Sequence, residues 1–394
     1  MQPNTELNPR ANGTQPGRGW YDVIVVGGSC SGLRTAELLA EGGNRVLILE
    51  RKRALDQLER TWIVTPHLHR VLGFQPNEAV LHRTGVMRVI AGKTERDVRL
   101  QVPDLVVERA RILPMLAHRA QAAGAELMLG AATAGIEMAP GGFRVFARRP
   151  GGGEPLVLHA RHLIGADGVK SMVAQRFQSR PQRAVPIVQA KVTLPVGYDP
   201  DVTAVWFDRA RTRFFYWLIP ESTTTGALGL IAEQSDGART LLDDFMHEHG
   251  FAPISYQGAM IPLHQPFRRI EWSFGDHRVL LVGDAAAHVK VTTVGGLVSG
   301  LWGAQAAARA ITQKRSYRSQ LRTLHAELHV HDLMRWVLDR FSQADYEQML
   351  GLIGQGLQTI LGRHNRDTVA QSKWSLLAAQ PRIVALAARV ILFS

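Results

Sequence analysis

Tyr21–Val26 (YDVIVV) is a short β-branched run, the pattern of a strand buried on both faces in a parallel sheet. It leads directly into Gly27-Gly28-Ser29-Cys30-Ser31-Gly32. Beyond the glycines the spacing becomes helical: Leu33, Ala36, Leu38 and Leu39 are apolar, Glu37 is expected on the solvent side, and Gly42-Gly43-Asn44 ends the helix. Arg45–Leu49 reads as a second strand with Glu50 at its tip, eighteen residues after Gly32.

The same strand-to-helix change recurs downstream. Leu105–Arg109 is a strand or strand end before a helix over Arg111–Ala123, which stops at Gly124. His162–Lys170 (HLIGADGVK) is an apolar strand, a Gly-Ala-Asp-Gly turn and a helix start. Arg278–Leu301 delivers Gly283-Asp284 from a buried strand, then an alanine-rich connector, then an apolar helix opening at Gly295-Gly296. Between the last two segments, Gln189–Leu194, Thr203–Phe207, Arg213–Ile219 and Thr225–Ala232 alternate apolar and polar residues, as antiparallel strands do. Phe215 and Trp217 share a face at period two, and the sheet is expected to carry Trp206 along with them over a bound group.

The order of elements predicts an α/β chain, α+β overall. A Rossmann-like domain around a parallel sheet is expected from 21–80, 105–185 and 272–314. An antiparallel substrate domain (81–104 and 186–271) is inserted, and a helical region covers 315–394. Residues 1–20 lack an apolar run and read as a flexible leader rather than a signal peptide.

The opening unit has the chemistry of a dinucleotide turn. Gly27 permits the tight turn, Gly32 lets the helix approach the sheet, and the helix N-terminus offers free N–H groups to a pyrophosphate. Glu50 can accept from an adenosine ribose and disfavours a 2′-phosphate. Ser29 stands where the middle glycine of the fingerprint is usual. Arg109 is placed to neutralise a diphosphate, and Asp167 to cap the next helix or contact the nucleotide. Asp284 at a strand end suits ribityl hydroxyls. The helix after Gly295-Gly296 offers its positive end to the N1–C2=O edge of a flavin.

Composition narrows the classes. The net charge of +12 comes from 46 Lys+Arg, and the arginine-rich balance reads either as coding bias or as attraction to an anionic cofactor, substrate or lipid surface. No basic run is interleaved with aromatics, which argues against nucleic acid. The single cysteine, Cys30, excludes internal disulfides and cysteine metal sites. No histidine pair has metal spacing that stands out; His325, His329 and His331 read as a solvated helix face. The chain is expected to be cytoplasmic, without a spanning helix. The apolar tail Arg382–Ser394 is expected to pack on the core, with peripheral membrane contact left open.

Taken together, these segments resemble the FAD-binding set of the glutathione-reductase-2-type flavoproteins, with the fold of p-hydroxybenzoate hydroxylase, over roughly 21–310. Aromatic hydroxylases, flavin-dependent halogenases and geranylgeranyl reductases belong to that group. GDAAAHVKVTTVGGL is similar to the geranylgeranyl reductase pattern GDAAGxxKPxTGGGI. Gly283, Asp284, Ala285, Ala286, Lys290, Thr293, Gly295 and Gly296 match; Ala287 replaces a glycine, Val291 the proline, and Val294 the first of three glycines. Phe215–Pro220 (FYWLIP) resembles that family's YxWxFP. YWLIP is also similar to a halogenase WxWxIP, and Thr61–Phe74 to a stretch of flavin monooxygenases.

The resemblance implies an FAD held by Gly27, Gly28, Ser29, Cys30, Ser31, Gly32, Glu50, Arg51, Arg109, Thr133, Asp167, Gly283, Asp284, Gly295, Gly296 and Leu297. Phe215 and Trp217 would line an apolar pocket. Lys290 could hold an anionic head or a cofactor phosphate. His288 could donate a proton, but its place in the connector points rather to solvent. The implied activity is reduction of C=C bonds in an isoprenoid or other apolar small molecule, by hydride from reduced flavin N5. NAD(P)H or another reductant would supply the electrons. The alternatives are a monooxygenase of natural-product or aromatic metabolism and a flavin-binding protein without activity.

Overall fold

The computed structural model describes residues 19–57, 60–149, 153–354, 358, 366, 367, 369, 370 and 381–393; most of the expected leader lies outside them. The opening unit forms as its pattern requires: β1 (Trp20–Val26), α1 (Cys30–Glu41) and β2 (Val46–Glu50). β1 and β2 run parallel, with Val23 beside Val46 and Val25 beside Ile48. Burial on both faces explains why neither strand alternates.

β3 (Thr61–Val64) and α2 (His67–Leu72) precede a long hairpin of β4 (Val80–Ala91) and β5 (Thr94–Glu108). Then come α3 (Arg109–Ala122), β6 (Glu126–Leu129), β7 (Ala132–Ala139), β8 (Gly142–Arg148), β9 (Leu156–Gly165) and α4 (Met172–Arg176). β10 (Ala184–Thr193), β11 (Val202–Phe207), β12 (Tyr216–Pro220), β13 (Thr225–Ile231), α5 (Ala238–His249) and β14 (Ala252–Pro262) follow. β15 (Glu271–Phe274) and β16 (His277–Leu281) lead into α6 (Leu297–Thr312), α7 (Tyr317–Gln320), α8 (Arg322–Leu338), α9 (Gln343–Gly351) and α10 (Pro381–Phe393).

Two sheets result. The first has the order β15-β16-β9-β1-β2-β6, with the β7–β8 hairpin joined through β8 to β9. From β16 to β6 it is parallel. Leu33 and Leu39 of α1, Leu113 and Leu116 of α3, and Leu301 and Ala307 of α6 close one of its faces. The second sheet, β14-β10-β13-β12-β11-β4-β5-β3, is antiparallel except for β4 beside β11. The mixed α/β class with an antiparallel second sheet and C-terminal helices is therefore as expected.

Several expectations change. Glu37 is fully buried, not exposed: Arg34 and Arg119 each approach its carboxylate to 2.7 Å, so the charge is paired between α1 and α3. The helix expected from Arg111 already begins at Arg109. Trp206 turns away from Phe215 and Trp217. It lies opposite Tyr216 in the ladder and packs edge-on against Phe245 of α5, on the sheet's far face. In the tail, Leu386 and Val390 are buried against Phe341, Tyr346 and Leu350, so core packing holds for that helix, while Val384 and Ile391 stay exposed. Among the described residues no helix is long and apolar enough to cross a membrane.

Candidate cofactor and substrate site

The C-terminal ends of β1, β2, β9 and β16 converge on one edge of the first sheet, where ligands of such sheets bind. Gly27 has φ +106°, and a Cβ there would stand 2.4 Å from the Ala166 carbonyl oxygen. A Cβ on Gly32 would stand 2.2 Å from the Gly27 oxygen, so both positions require glycine. Ser29 has a physical role as the N-cap of α1, its Oγ accepting from the Gly32 N–H at 3.2 Å. Ser31 points inward, its Oγ wedged where Gly283 and Gly300 have no side chain, which seats α1 against α6. Cys30 is buried, and burial pushes its thiol up to about 12 against the pull of Arg109, so it stays protonated.

Glu50 fixes the turn. Its carboxylate accepts from the Gly28 N–H at 2.7 Å and from the Lys52 N–H at 2.8 Å. The Ala131 N–H donates to the Glu50 carbonyl at 2.8 Å, bringing the start of β7 alongside. Thr133, in β7, has a buried hydroxyl with no protein partner among the described residues. Arg51 is exposed past the end of β2. Asp167 accepts from the Met172 N–H at 2.7 Å and the Val173 N–H at 3.3 Å, so it serves the start of α4; burial raises its pKa against those bonds and that of Ser171.

Arg109 opens α3 beside two cations that sequence reasoning missed, Lys52 and Arg60. Burial first, then the Arg109 charge, pushes both below their ordinary range. Cations held together at this cost are suited to a diphosphate. Lys52 had a signal, two residues past Glu50; Arg60 had none, since only β3 brings it to Arg109, whose N–H donates to the Arg60 carbonyl at 2.9 Å.

Asp284 lies in a single 3₁₀ turn, Gly283–Ala286, at the end of β16. Burial pushes its carboxyl up to about 6, with Arg60 and Arg109 opposing. Gln182, also unforeseen, donates to the carbonyls of Asp284 at 2.6 Å and Ala285 at 3.0 Å, clamping this turn. Gly296 caps α6, and a Cβ on it would stand 3.2 Å from Asp284 Oδ1. Helix start and acid thus face the same space, with Leu297 as the first residue of α6. The connector doubles back as Lys290 N–H donates to the Gly295 carbonyl at 3.2 Å.

His288 is buried rather than solvated, 1% exposed, and neither ring nitrogen has a hydrogen-bond partner among the described residues. Burial, then His325 and His264, holds its pKa well below the imidazole range, so it is neutral and a poor proton donor. Lys290 is buried as well and ion-paired with Asp367, which also accepts from Thr65. It is therefore engaged within the protein rather than held out toward an anionic head or phosphate. His331, expected in solvent, is buried too, 2.5 Å from Thr292 Oγ1 and 3.3 Å from Glu327.

Phe215 and Trp217 do meet, ring centres 6.1 Å apart. Trp217 lies over Gly229, where any Cβ would clash with its ring. Both belong to an apolar cluster with Ile63, Ile219, Val289 and Val294, so this face of the second sheet packs on the Asp284–Gly296 connector.

The residues present fit an FAD: a glycine turn with a ribose acid, a cationic group for the diphosphate, and a half-buried acid at a helix start for the ribityl and ring end. Fold and site define an FAD-dependent oxidoreductase. Residues 20–314 match the family described as FAD binding domain. Digeranylgeranylglycerophospholipid reductase of Methanocaldococcus jannaschii is 24% identical over 86% of this chain and 92% of its own length. Geranylgeranyl diphosphate reductase of Rhodobacter capsulatus is 30% identical over 74% of each. The chain belongs to the FAD binding domain family, among its geranylgeranyl reductase-like enzymes. Its fold matches a geranylgeranyl bacteriochlorophyll reductase-like protein from Thermoplasma acidophilum, with a TM-score of 0.79 at 17% identity over 94% of this chain and 99% of that one. A flavin-dependent brominase gives 0.71 at 15% identity over 94% and 99%.

Proposed function

We propose that this enzyme reduces carbon–carbon double bonds of an isoprenoid or similarly apolar small molecule, with NAD(P)H or another reductant as electron donor. The observation that carries this reading is the apolar cluster of Phe215, Trp217, Ile63, Val289 and Val294, packed between the second sheet and the connector that ends at α6. Two relatives named for geranylgeranyl substrates support it. FAD, when bound and reduced, supplies the hydride.

The chain's own part is to hold and to dry. Lys52, Arg60 and Arg109 would hold the diphosphate, Glu50 the adenosine ribose, and Asp284 with the first turn of α6 the ribityl chain and ring edge. Phe215 and Trp217 exclude water from the reacting face. In a site of this kind no side-chain triad is needed, because the cofactor brings the reactive atom. The exposed Val384 and Ile391 on α10 suit a peripheral contact with the membrane from which an isoprenoid lipid would come.

The test is anaerobic reduction of the holoprotein, followed by reoxidation with a polyprenyl alkene or, separately, with oxygen. Stoichiometric reoxidation by the alkene, with a saturated product, is the expected result. Failure with every alkene, together with an oxygen-dependent hydroxylated or halogenated product, would overturn the reading.

A further inference from the structure

We propose that His264, His329 and Asp332, with His325 completing the set, bind a borderline divalent transition-metal ion such as Zn²⁺ and so clip the C-terminal helices to the second sheet. His264 follows the end of β14, whereas His325, His329 and Asp332 all lie on α8. Their spacing of four and then three residues puts them on one face of that helix. The HxxxH spacing of His325 and His329 is the signal that a solvated-face reading passes over.

The geometry converges. One ligand atom each from His264, His329 and Asp332 lies within 4.8 Å of the others. Ligand atoms around a tetrahedral Zn²⁺ stand about 3.3 Å apart, so modest side-chain rotation closes the shell. Ring centres of His264 and His329 are 5.6 Å apart, and His325 is 6.4 Å from each. His264 Nδ1 already sits 2.7 Å from Asp332 Oδ2, so the two groups stand together and an ion would take the place of the proton between them.

Donor chemistry sets the ion. Imidazoles with one carboxylate select Zn²⁺, Co²⁺ or Ni²⁺ over Mg²⁺ and Ca²⁺, which prefer oxygen. Access is graded: the His264 side chain is 4% exposed and Asp332 27%, while His329 is open to solvent. An ion can therefore enter from one side and be held from the other. Behind His325, at 6.4 Å, is His288 in the connector between Asp284 and α6, so the clip braces the wall of the cofactor site.

The test uses untagged holoprotein stripped with chelator and titrated with Co²⁺ and Zn²⁺. One equivalent should bind, with visible cobalt d–d bands to the red of the flavin absorption and a rise in Tm of roughly 2–5 °C at saturation. His329→Ala and Asp332→Asn should each abolish the bands while keeping the flavin spectrum, which reports an intact fold. His247→Ala, at an exposed histidine on α5, should leave them unchanged. Absence of stoichiometric binding, or binding that survives both site variants, would overturn the proposal.

Discussion

Asp284 and Gly296 close on each other at the mouth of α6: a methyl group on Gly296 would stand 3.2 Å from Asp284 Oδ1 and 3.0 Å from Val289 Cγ2. The carboxylate thereby lies against the helix start, where unpaired N–H groups and the positive dipole end face the same space. Gly296→Ala should push the acid and the connector outward and weaken FAD retention by roughly tenfold, about 1.4 kcal/mol. Equilibrium dialysis of the apoprotein against FAD checks this. Unchanged affinity would mean that Asp284 and the helix start act independently.

The Asp284 carboxyl also predicts a pH dependence in the apoprotein. Its folded value is pushed up to about 6 by burial, above the ordinary 3.8, with Arg60 and Arg109 opposing. Between about pH 4 and 6 the folded state therefore holds more protons than the unfolded state. This group's contribution to stability falls as pH rises through that window and is flat above it. The size is at most about 3 kcal/mol, less for the solvent that reaches the half-buried side chain. Asp284→Asn should flatten that window and raise the urea midpoint at pH 7. Parallel profiles for variant and wild type would refute the assignment.

The parts of this site legible in sequence were those set by local sterics. Gly27, Gly32 and Glu50 act within one strand–turn–helix–strand unit, so their spacing carries their roles. Phe215 immediately precedes β12 and Trp217 lies in it; the extended backbone makes period two put both in one apolar cluster. Trp206 was misplaced because its face follows from its register with Tyr216, which no count within one strand reveals. Arg60, Gln182 and the partner of Lys290 come from distant segments. Glu37 reads as solvent-facing from its polarity and His288 from its place in the connector, yet Arg34 and Arg119 pair the first, and the second packs where Gly303 has no side chain.

Ala287 and Val294, the two residues that replace family-pattern glycines in the connector, have φ +58° and +49°. Those glycines therefore answered a backbone need, and each replacement carries left-handed strain of about 1–2 kcal/mol. Ala287→Gly loses one methyl and should stabilise the protein by up to about 1 kcal/mol. Val294→Gly relieves similar strain but removes a buried side chain from the cluster around Trp217, worth roughly 1.5–3 kcal/mol, so it should gain nothing or lose. Denaturant melts of the two variants distinguish the cases; equal gains at both would show that Val294 contributes no packing.

Glu37 gives the sharpest test of the packing between α1 and α3. Its carboxylate, fully buried, lies 2.7 Å from both Arg34 and Arg119, and the Arg34 side chain is itself 7% exposed. Glu37→Leu would leave the Arg34 guanidinium buried without its counter-charge, at a cost of about 3–5 kcal/mol. Arg34→Leu alone should cost less, because Arg119, which is partly exposed, still neutralises Glu37. In Arg34→Leu with Glu37→Leu no unpaired buried charge remains on α1, and most of the loss should be recovered. A double-mutant cycle from urea melts gives the coupling. Additive losses would mean that Arg34 and Glu37 do not interact energetically, and that the Glu37 carboxylate is held by Arg119 of α3 alone.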